Sequence, residues 1–317
     1  MDYTRRNFIK GVACATAAIP FAGAFASVNR LNEKSSFPIS FFTKPLDGFE
    51  LEFMAETLAM SAIDGFDLSV RPKGRVEPER VADDLPKVVE TGKKYEIQTR
   101  MMVASITSPT DDYAPKVLKV AADNGIKHYR LGYFNYDSKK SIPESLAEIR
   151  NKLDRLVTLN TEIGIQGGYQ NHSGAMFGSP LWDVWELLKD MPVKYISSQF
   201  DVRHATTEGI FSWPLALRLL YQNIGSLAVK DFTWNIANGK AKVVSMPLGD
   251  GIVDFDLFFS MVKELKIVAP ISLHVEYPFL NKEEETLSLL EKQRIIVSKL
   301  KKDVDFICTM LAKHQLT

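Results

Sequence analysis

The 317-residue sequence has few of the features that mark several large classes of protein. Its only cysteines are Cys14 and Cys308, which excludes a framework of several disulfides. Its 39 Lys and Arg residues balance 39 Asp and Glu residues, and no basic run is interleaved with aromatic residues, so nucleic acid is not an expected partner. The residues after the first predicted strand, Phe42-Thr43-Lys44-Pro45, lack the GxGxxG pattern of a dinucleotide-binding sheet.

The N-terminus resembles a twin-arginine export signal. Thr4-Arg5-Arg6-Asn7-Phe8-Ile9-Lys10 precedes the apolar stretch Val12–Phe25, which is too short to span a bilayer comfortably. Ala22-Gly23-Ala24 and Ala24-Phe25-Ala26 are candidate cleavage sites. We therefore expect residues 1–26 to be a signal peptide, residues 27–36 a linker and residues 37–317 the exported domain.

This resemblance predicts a periplasmic protein. A lipid anchor on Cys14 is the less favoured alternative, because Gly11 rather than leucine lies three residues before it. No later segment is long and apolar enough to cross a membrane, so no stable membrane insertion is expected after the signal is removed.

A repeated pattern of a short apolar run, a polar tip and an amphipathic helix begins near residue 37. The predicted strands are Ile39–Phe42, Phe66–Val70, Glu96–Val103, Lys127–Gly132, the run that begins at Ile163, Tyr195–Asp201, Leu227–Asp231 and Ile271–Val275. The predicted helices are Phe49–Ala62, Glu79–Lys93, Ala114–Asn124, Ile142–Asn160, Leu181–Lys189, Pro214–Ile224, Phe255–Leu265 and Glu283–Lys313. With right-handed crossovers, this alternation predicts a single-domain α/β fold, the (β/α)8 TIM barrel. Asn238-Gly239 predicts a two-stranded hairpin in the long connection after the seventh strand.

Polar residues follow four of the predicted strands. The run Ile163–Gly174 ends in Gln170, Asn171 and His172, and similar polar endings occur at Phe200–His204, Leu227–Asp231 and Leu273–Glu276. Because the carboxyl ends of barrel strands share one face, these side chains are expected to form an active site at the mouth of the barrel.

These strand ends resemble those of the sugar phosphate isomerase/epimerase family, the xylose-isomerase-like barrels that include ketose epimerases. The resemblance covers most of the chain after the linker. It runs through Gly65-Phe66-Asp67, Gln170-Asn171-His172, Phe200-Asp201-Val202-Arg203-His204, Val229-Lys230-Asp231, Pro247-Leu248-Gly249-Asp250-Gly251 and Glu276.

The family resemblance implies a divalent metal cation, Mn, Zn, Co or Mg, held at the strand ends. Carried over by position, the ligands are Gln170, Asp201 and Glu276. Gln170 replaces an expected glutamate and Ala228 replaces an expected histidine, which weakens the site. A histidine could compensate, from among His172, His204 and His274.

The same strand ends supply candidate catalytic groups. Glu276 is the expected general base, able to take a proton from the carbon beside a carbonyl. Lys230 is expected either to stabilise an enolate oxygen in place of the weakened metal site or simply to pair with Asp201. His172 and His204 are candidate proton carriers or hydrogen-bonded loop residues.

Three residues are candidate substrate ligands: Arg130, Asn171 and Trp234. Arg130 alternates with its neighbours on the fourth strand and is expected to face the pocket, either for substrate or in a structural ion pair. Trp234 lies in the predicted hairpin and is a candidate for stacking on a sugar. His274 shares a strand face with Glu276, so a polar layer inside the barrel and a catalytic role are both open.

Together these features predict an enzyme that acts on a small carbohydrate, a keto-sugar or an oxidised glycoside without phosphate. It would move a proton next to a carbonyl through an enediolate, as an isomerase or epimerase. A lyase or hydrolase of 3-keto-glycosides and a non-catalytic sugar-binding barrel are the alternatives, and the sequence leaves the oligomeric state open.

Overall fold

The structure, a computed structural model, describes residues 36–316. The predicted signal peptide and all but the last residue of the predicted linker lie outside the described residues, so export stays a prediction. Within the described part of the chain, no helix is both long and apolar enough to pass through a bilayer.

The described residues form a closed eight-stranded barrel, as predicted. Its strands are β1 (Ile39–Phe42), β2 (Gly65–Ser69), β3 (Gln98–Val103), β4 (His128–Arg130), β5 (Gln166–Gln170), β6 (Ile196–Asp201), β7 (Ile224–Val229) and β10 (Ile271–Leu273). They pair in parallel in the order β1-β10-β7-β6-β5-β4-β3-β2. Parallel pairing places the end of every strand at the same mouth of the barrel.

Helices on the outside connect the strands. They are α1 (Leu51–Met60), α2 (Val81–Lys94), α3 (Ala114–Asp123), α4 (Ile142–Ile163), α5 (Leu181–Leu188), α6 (Val202–Glu208), α7 (Trp213–Leu220), α8 (Phe255–Glu264) and α9 (Leu289–Lys313). Large apolar side chains on the outer faces of the strands pack beneath these helices, including Phe66, Tyr129 and Phe200. The α/β alternation predicted from the sequence is therefore confirmed.

The boundary between α4 and β5 differs from the prediction. The strand was predicted to begin at Ile163, but α4 continues to that residue and β5 begins at Gln166. Gly164 ends the helix with a φ of 79°, a left-handed conformation that glycine adopts without steric cost. The polar end of the strand at Gln170 is unaffected by this shift.

Other boundaries also differ, most by one or two residues and some by more. Ile224 begins β7 rather than ending a helix, and the short helix α6 follows β6 directly. α9 begins at Leu289 rather than Glu283, because Ser288 and Glu291 form a reciprocal capping box at its start.

The predicted hairpin is present as β8 (Asp231–Ala237) and β9 (Lys240–Met246). Asn238 and Gly239 form its turn, with φ values of 52° and 71° that match the positive φ required at both central positions of a type I′ turn. At its base, the Asp231 carboxylate accepts backbone N–H groups from Phe232 and from three residues of the loop after β9, Gly249, Gly251 and Val253. The hairpin is thereby fixed at the mouth of the barrel.

Candidate active site

An ion cluster of Lys230, Asp201 and Glu276 lies at the ends of three adjacent strands. The Lys230 ammonium is 2.8 Å from Glu276 Oε1 and 3.4 Å from Asp201 Oδ2. The Lys230 side chain is 4% exposed and that of Asp201 is fully buried, whereas the Glu276 side chain is 43% exposed. Glu276 is therefore the carboxylate of this cluster that a molecule in the barrel mouth can reach.

Glu276 is ionised at neutral pH. Burial would raise the pKa of Glu276, but the adjacent Lys230 ammonium outweighs this effect and holds the pKa below its ordinary value. An accessible, ionised carboxylate has the protonation state that a general base requires.

A second cluster joins β4 to β5. Arg130 Nη1 donates to Gln170 Oε1 at 2.7 Å and to the Tyr133 hydroxyl at 2.6 Å, and that hydroxyl donates to Gln170 Oε1 at 2.7 Å. Gln170 Nε2 in turn donates to Asp201 Oδ2 at 2.7 Å. Because a guanidinium can only donate, the amide oxygen of Gln170 must face Arg130 and its NH₂ group must face Asp201.

Asp201 is held from two further sides. Its Oδ1 accepts the backbone N–H of His204 and caps α6, which orients the carboxylate. The Asn171 side chain bonds both backbone groups of Asp201, accepting its N–H at 2.8 Å and donating to its carbonyl at 3.0 Å. Asn171 therefore positions Asp201, and its predicted contact with substrate stays a prediction.

His204 is neutral and carries its proton on Nε2. Its Nδ1 lies 3.1 Å from the donating backbone N–H of Ser173 and 2.8 Å from Arg203 Nη1, so Nδ1 accepts. Burial, together with the positive charge of Lys230, lowers the pKa of His204 well below its ordinary value. Its Nε2–H has no hydrogen-bond partner and is 3.9 Å from Asp201 Oδ2. This Nε2 atom is buried, so it faces the interior of the site and not the open mouth of the barrel.

His172 has the opposite tautomer. Its Nδ1 is 2.8 Å from the carbonyl oxygen of Ser173, which accepts, so the proton is on Nδ1 and Nε2 keeps its lone pair. Burial lowers the pKa of His172, which favours the neutral form. The rings of His172 and His204 are tilted by 36°, with centroids 3.9 Å apart. The two adjacent imidazoles therefore have opposite tautomers.

A deeper polar layer lies inside the barrel. Ser272 Oγ donates to Asp67 Oδ2 at 2.5 Å, across β1, and His274 Nε2 is 3.9 Å from the same oxygen. Burial raises the pKa of Asp67 to about 6 and lowers the pKa of His274 well below its ordinary value. His274 thus lies in a buried interior layer, one of the two arrangements open from the sequence.

Trp234 lies on β8 rather than within either cluster. The residue is 37% exposed, and its ring packs edge-on against Phe232, with ring centroids 5.4 Å apart. The Arg203 guanidinium lies 5.2 Å from the centre of the Phe232 ring. These neighbours link Trp234 to the site, and stacking on a sugar stays a prediction.

Two residues of the site are not among those predicted from the sequence to have a role. Tyr133 lies beyond the end of β4, outside the strand alternation that identified Arg130, and Arg203 lies next to His204 in α6. The sequence feature that could have marked both as site residues is their position within four residues of the end of a predicted strand. The contact of Tyr133 with Gln170 joins neighbouring strand ends and could not be inferred from spacing, whereas Arg203 contacts the residue next to it in the sequence.

The side chains present do not fit the divalent metal that the family resemblance implies. In residues 36–316, no three His, Cys, Asp or Glu side chains are grouped as metal ligands. The oxygen of Gln170 already accepts two hydrogen bonds, and the gap between Asp201 and Glu276 holds an ammonium group. The oxygens of the predicted ligands Gln170, Asp201 and Glu276 therefore already bind hydrogen-bond donors and an ammonium group of the protein itself.

The barrel and its charged mouth define an α/β-barrel protein with a polar site at the strand ends. The model of the xylose isomerase-like TIM barrel family matches residues 112–294, more than half of the chain. The chain belongs to this family. A comparison with curated protein sequences found no match.

Several solved structures share the fold. D-allulose 3-epimerase from Methylomonas sp. is 14% identical with a TM-score of 0.62, over 88% of this chain and 99% of that chain. A 3-keto-D-glucoside 4-epimerase from E. coli is 11% identical with a TM-score of 0.63, over 86% and 99%. A xylose isomerase-like TIM barrel protein from Mycobacterium smegmatis, in complex with magnesium, is 11% identical with a TM-score of 0.59, over 86% and 100%.

Proposed function

We propose that this protein is an enzyme that isomerises or epimerises a keto-sugar or an oxidised glycoside. The observation that carries the proposal is Glu276, an accessible and ionised carboxylate beside a cluster of positive charge and hydrogen-bond donors. The family and the sugar epimerases that share its fold support a carbohydrate as the substrate class.

The first step is removal of a proton. Glu276 takes the proton from the carbon next to the substrate carbonyl, and the electron pair of that C–H bond forms the C=C bond of an enediolate. Negative charge develops on the former carbonyl oxygen. The Lys230 ammonium, 2.8 Å from the proposed base Glu276, is the proposed donor that stabilises this charge.

The second step returns a proton to carbon. Delivery to the same carbon from the opposite face gives the epimer, whereas delivery to the former carbonyl carbon gives the isomer. His172 is the proposed second proton carrier: its Nε2 lone pair first takes a proton from water or from a substrate hydroxyl and then gives it to carbon. Glu276 releases the proton that it removed, to water when the epimer forms or back to the substrate when the isomer forms. Arg130 lies at the adjacent strand end and is the proposed ligand of substrate oxygens.

The proposal is tested by incubating the purified protein with unphosphorylated ketohexoses and with 3-keto-glucosides, and identifying the products by NMR. An epimer or an aldose–ketose isomer supports it. Release of the aglycone from a 3-keto-glucoside would instead assign a lyase or hydrolase, since α-deprotonation followed by loss of a β-leaving group uses the same base. Recovery of every sugar unchanged, with saturable binding, would contradict catalysis and favour a sugar-binding barrel.

We also propose that the protein is exported to the periplasm through the twin-arginine route. The support is the sequence Thr4-Arg5-Arg6-Asn7-Phe8-Ile9-Lys10 followed by a short apolar stretch. Cell fractionation of the wild type and of a variant with Arg5→Lys and Arg6→Lys tests it. The wild type should be periplasmic and the variant cytoplasmic; the same location for both would contradict the proposal.

A further inference from the structure

We infer that the Lys230 ammonium occupies the position where the family pattern implies a divalent cation. In this barrel, a side chain of the protein would therefore supply the positive charge that the metal would otherwise provide. The inference begins from burial. Lys230 and Asp201 are 4% and 0% exposed, and buried charges are stable only when they are paired. Lys230 lies between two carboxylates, at 2.8 Å from Glu276 and 3.4 Å from Asp201, so its ammonium forms an ion pair with each of them.

The surrounding oxygens are oriented for this arrangement. Both lone pairs of Gln170 Oε1 are used by Arg130 and Tyr133, at 2.7 Å each. The Gln170 amide presents its NH₂ group to Asp201, where a metal ligand would present oxygen. A divalent cation would have to displace Lys230 and reverse Gln170, and reversal would place the amide NH₂ against the Arg130 guanidinium.

The charge around the pocket leads to the same conclusion. Arg130 and Arg203 are both less than a tenth exposed, so the site already holds buried positive charge besides Lys230. Hard divalent cations favour clusters of anionic oxygens, and additional like charge nearby weakens their binding. The sequence changes at Gln170 and Ala228, which remove a carboxylate and an imidazole from the family pattern, fit a site whose cation is a lysine.

The catalytic part of this inference rests on the proposed function. If the enzyme forms an enediolate, Lys230 stabilises its oxygen as a point charge and a hydrogen-bond donor. The metal part does not depend on any substrate, so the two can be tested separately.

The test measures Mn²⁺ binding to the purified full chain by equilibrium dialysis, for the wild type and for Lys230→Met. Methionine keeps the length of the side chain as far as Cε, with sulfur at the δ position, and removes the ammonium from between Asp201 and Glu276. Lys230→Arg keeps the positive charge, and Lys282→Ala is a matched control because Lys282 is an exposed lysine. We expect no stoichiometric Mn²⁺ in the wild type, Lys230→Arg or Lys282→Ala, and at least tenfold tighter binding in Lys230→Met.

Lys230→Ala provides a second variant if Lys230→Met does not fold. Mn²⁺ should raise the melting temperature of the folded neutral variant and leave that of the wild type unchanged, because a ligand stabilises only the state that binds it. Stoichiometric Mn²⁺ in the wild type, lost in Asp201→Ala, would overturn the inference. Failure of both neutral variants to gain Mn²⁺ affinity would also overturn it, whatever the outcome of the product assay.

Discussion

At Glu276, two opposing influences decide the state of one carboxyl group. Burial raises the pKa of Glu276, and the ammonium of Lys230 at 2.8 Å lowers it by more. Burial, with a smaller contribution from the same ammonium, lowers the pKa values of His172 and His204. Burial and Lys230 together thus favour two neutral imidazoles beside an ionised carboxylate, the form of Glu276 that can take a proton from carbon.

These shifts predict the acid limb of the pH profile. The base form of Glu276 is lost as the pH falls through its lowered pKa, so the limb in kcat/KM should lie below the ordinary glutamate value of 4.5. His204 should add no step near 6.5, because its pKa lies well below that value. Measurement of kcat/KM from pH 4 to 8 checks this. An acid limb centred near pH 6.5 would instead show that an imidazole with an ordinary pKa is the base.

At the level of elements, the site depends on the contact between the ends of β5 and β6. The Asn171 side chain bonds both backbone groups of Asp201, and the Asp201 carboxylate caps α6. The Asn171 side chain and the helix cap therefore hold the Asp201 carboxylate in its position next to Lys230.

Asn171→Ala is expected to lower the free energy of unfolding. The substitution leaves the buried N–H of Asp201 without its acceptor, which costs about 1–3 kcal/mol, and removes the amide donor to the Asp201 carbonyl. Urea unfolding followed by circular dichroism measures the change. Asn235→Ala, at an exposed position of β8, is the control and should change stability by less than about 0.5 kcal/mol. Equal stability of Asn171→Ala and the control would show that the bridge does not hold the strand ends together.

The elements show how far the sequence could predict this site. The barrel and the polar strand ends could be predicted, because apolar runs and helical spacing are local and strand alternation directs Arg130 inward. Helix α6 could not, because its seven residues are too few to show an apolar repeat, and only the cap at Asp201 marks its start. The tautomer of His204 could not be predicted either, because the Ser173 N–H that Nδ1 accepts belongs to a different strand end, 31 residues away in the sequence.

At the level of the whole molecule, burial of the Asp67 carboxyl group inside the barrel makes the folded protein less stable at high pH than at low pH. Asp67 has a pKa of about 6 in the folded protein, against an ordinary value of 3.8. Between these two values the folded state holds a proton that the unfolded chain has lost. Raising the pH through this window therefore lowers the stability, and the contribution is fully present below pH 3.8.

Asp67→Asn should remove this pH dependence. Relative to the wild type, the variant should gain up to about 3 kcal/mol in unfolding free energy between pH 4 and pH 8. Asp303 also has a raised pKa of about 6, but it is present in both proteins and cancels in the comparison. Urea unfolding at several pH values measures the difference. A constant difference across this range would contradict the raised pKa of Asp67.

The whole account depends on proton exchange at a carbon next to a carbonyl, with Glu276 as the base. The most direct test is incorporation of solvent deuterium into a ketohexose or 3-keto-glucoside in D₂O, followed by mass spectrometry. The wild type should incorporate one deuterium at the carbon beside the carbonyl, and Glu276→Gln should do so about 10²–10⁴ times more slowly. Glu162→Gln, at an exposed position of α4, should match the wild type. Equal incorporation by Glu276→Gln and the wild type would contradict the account.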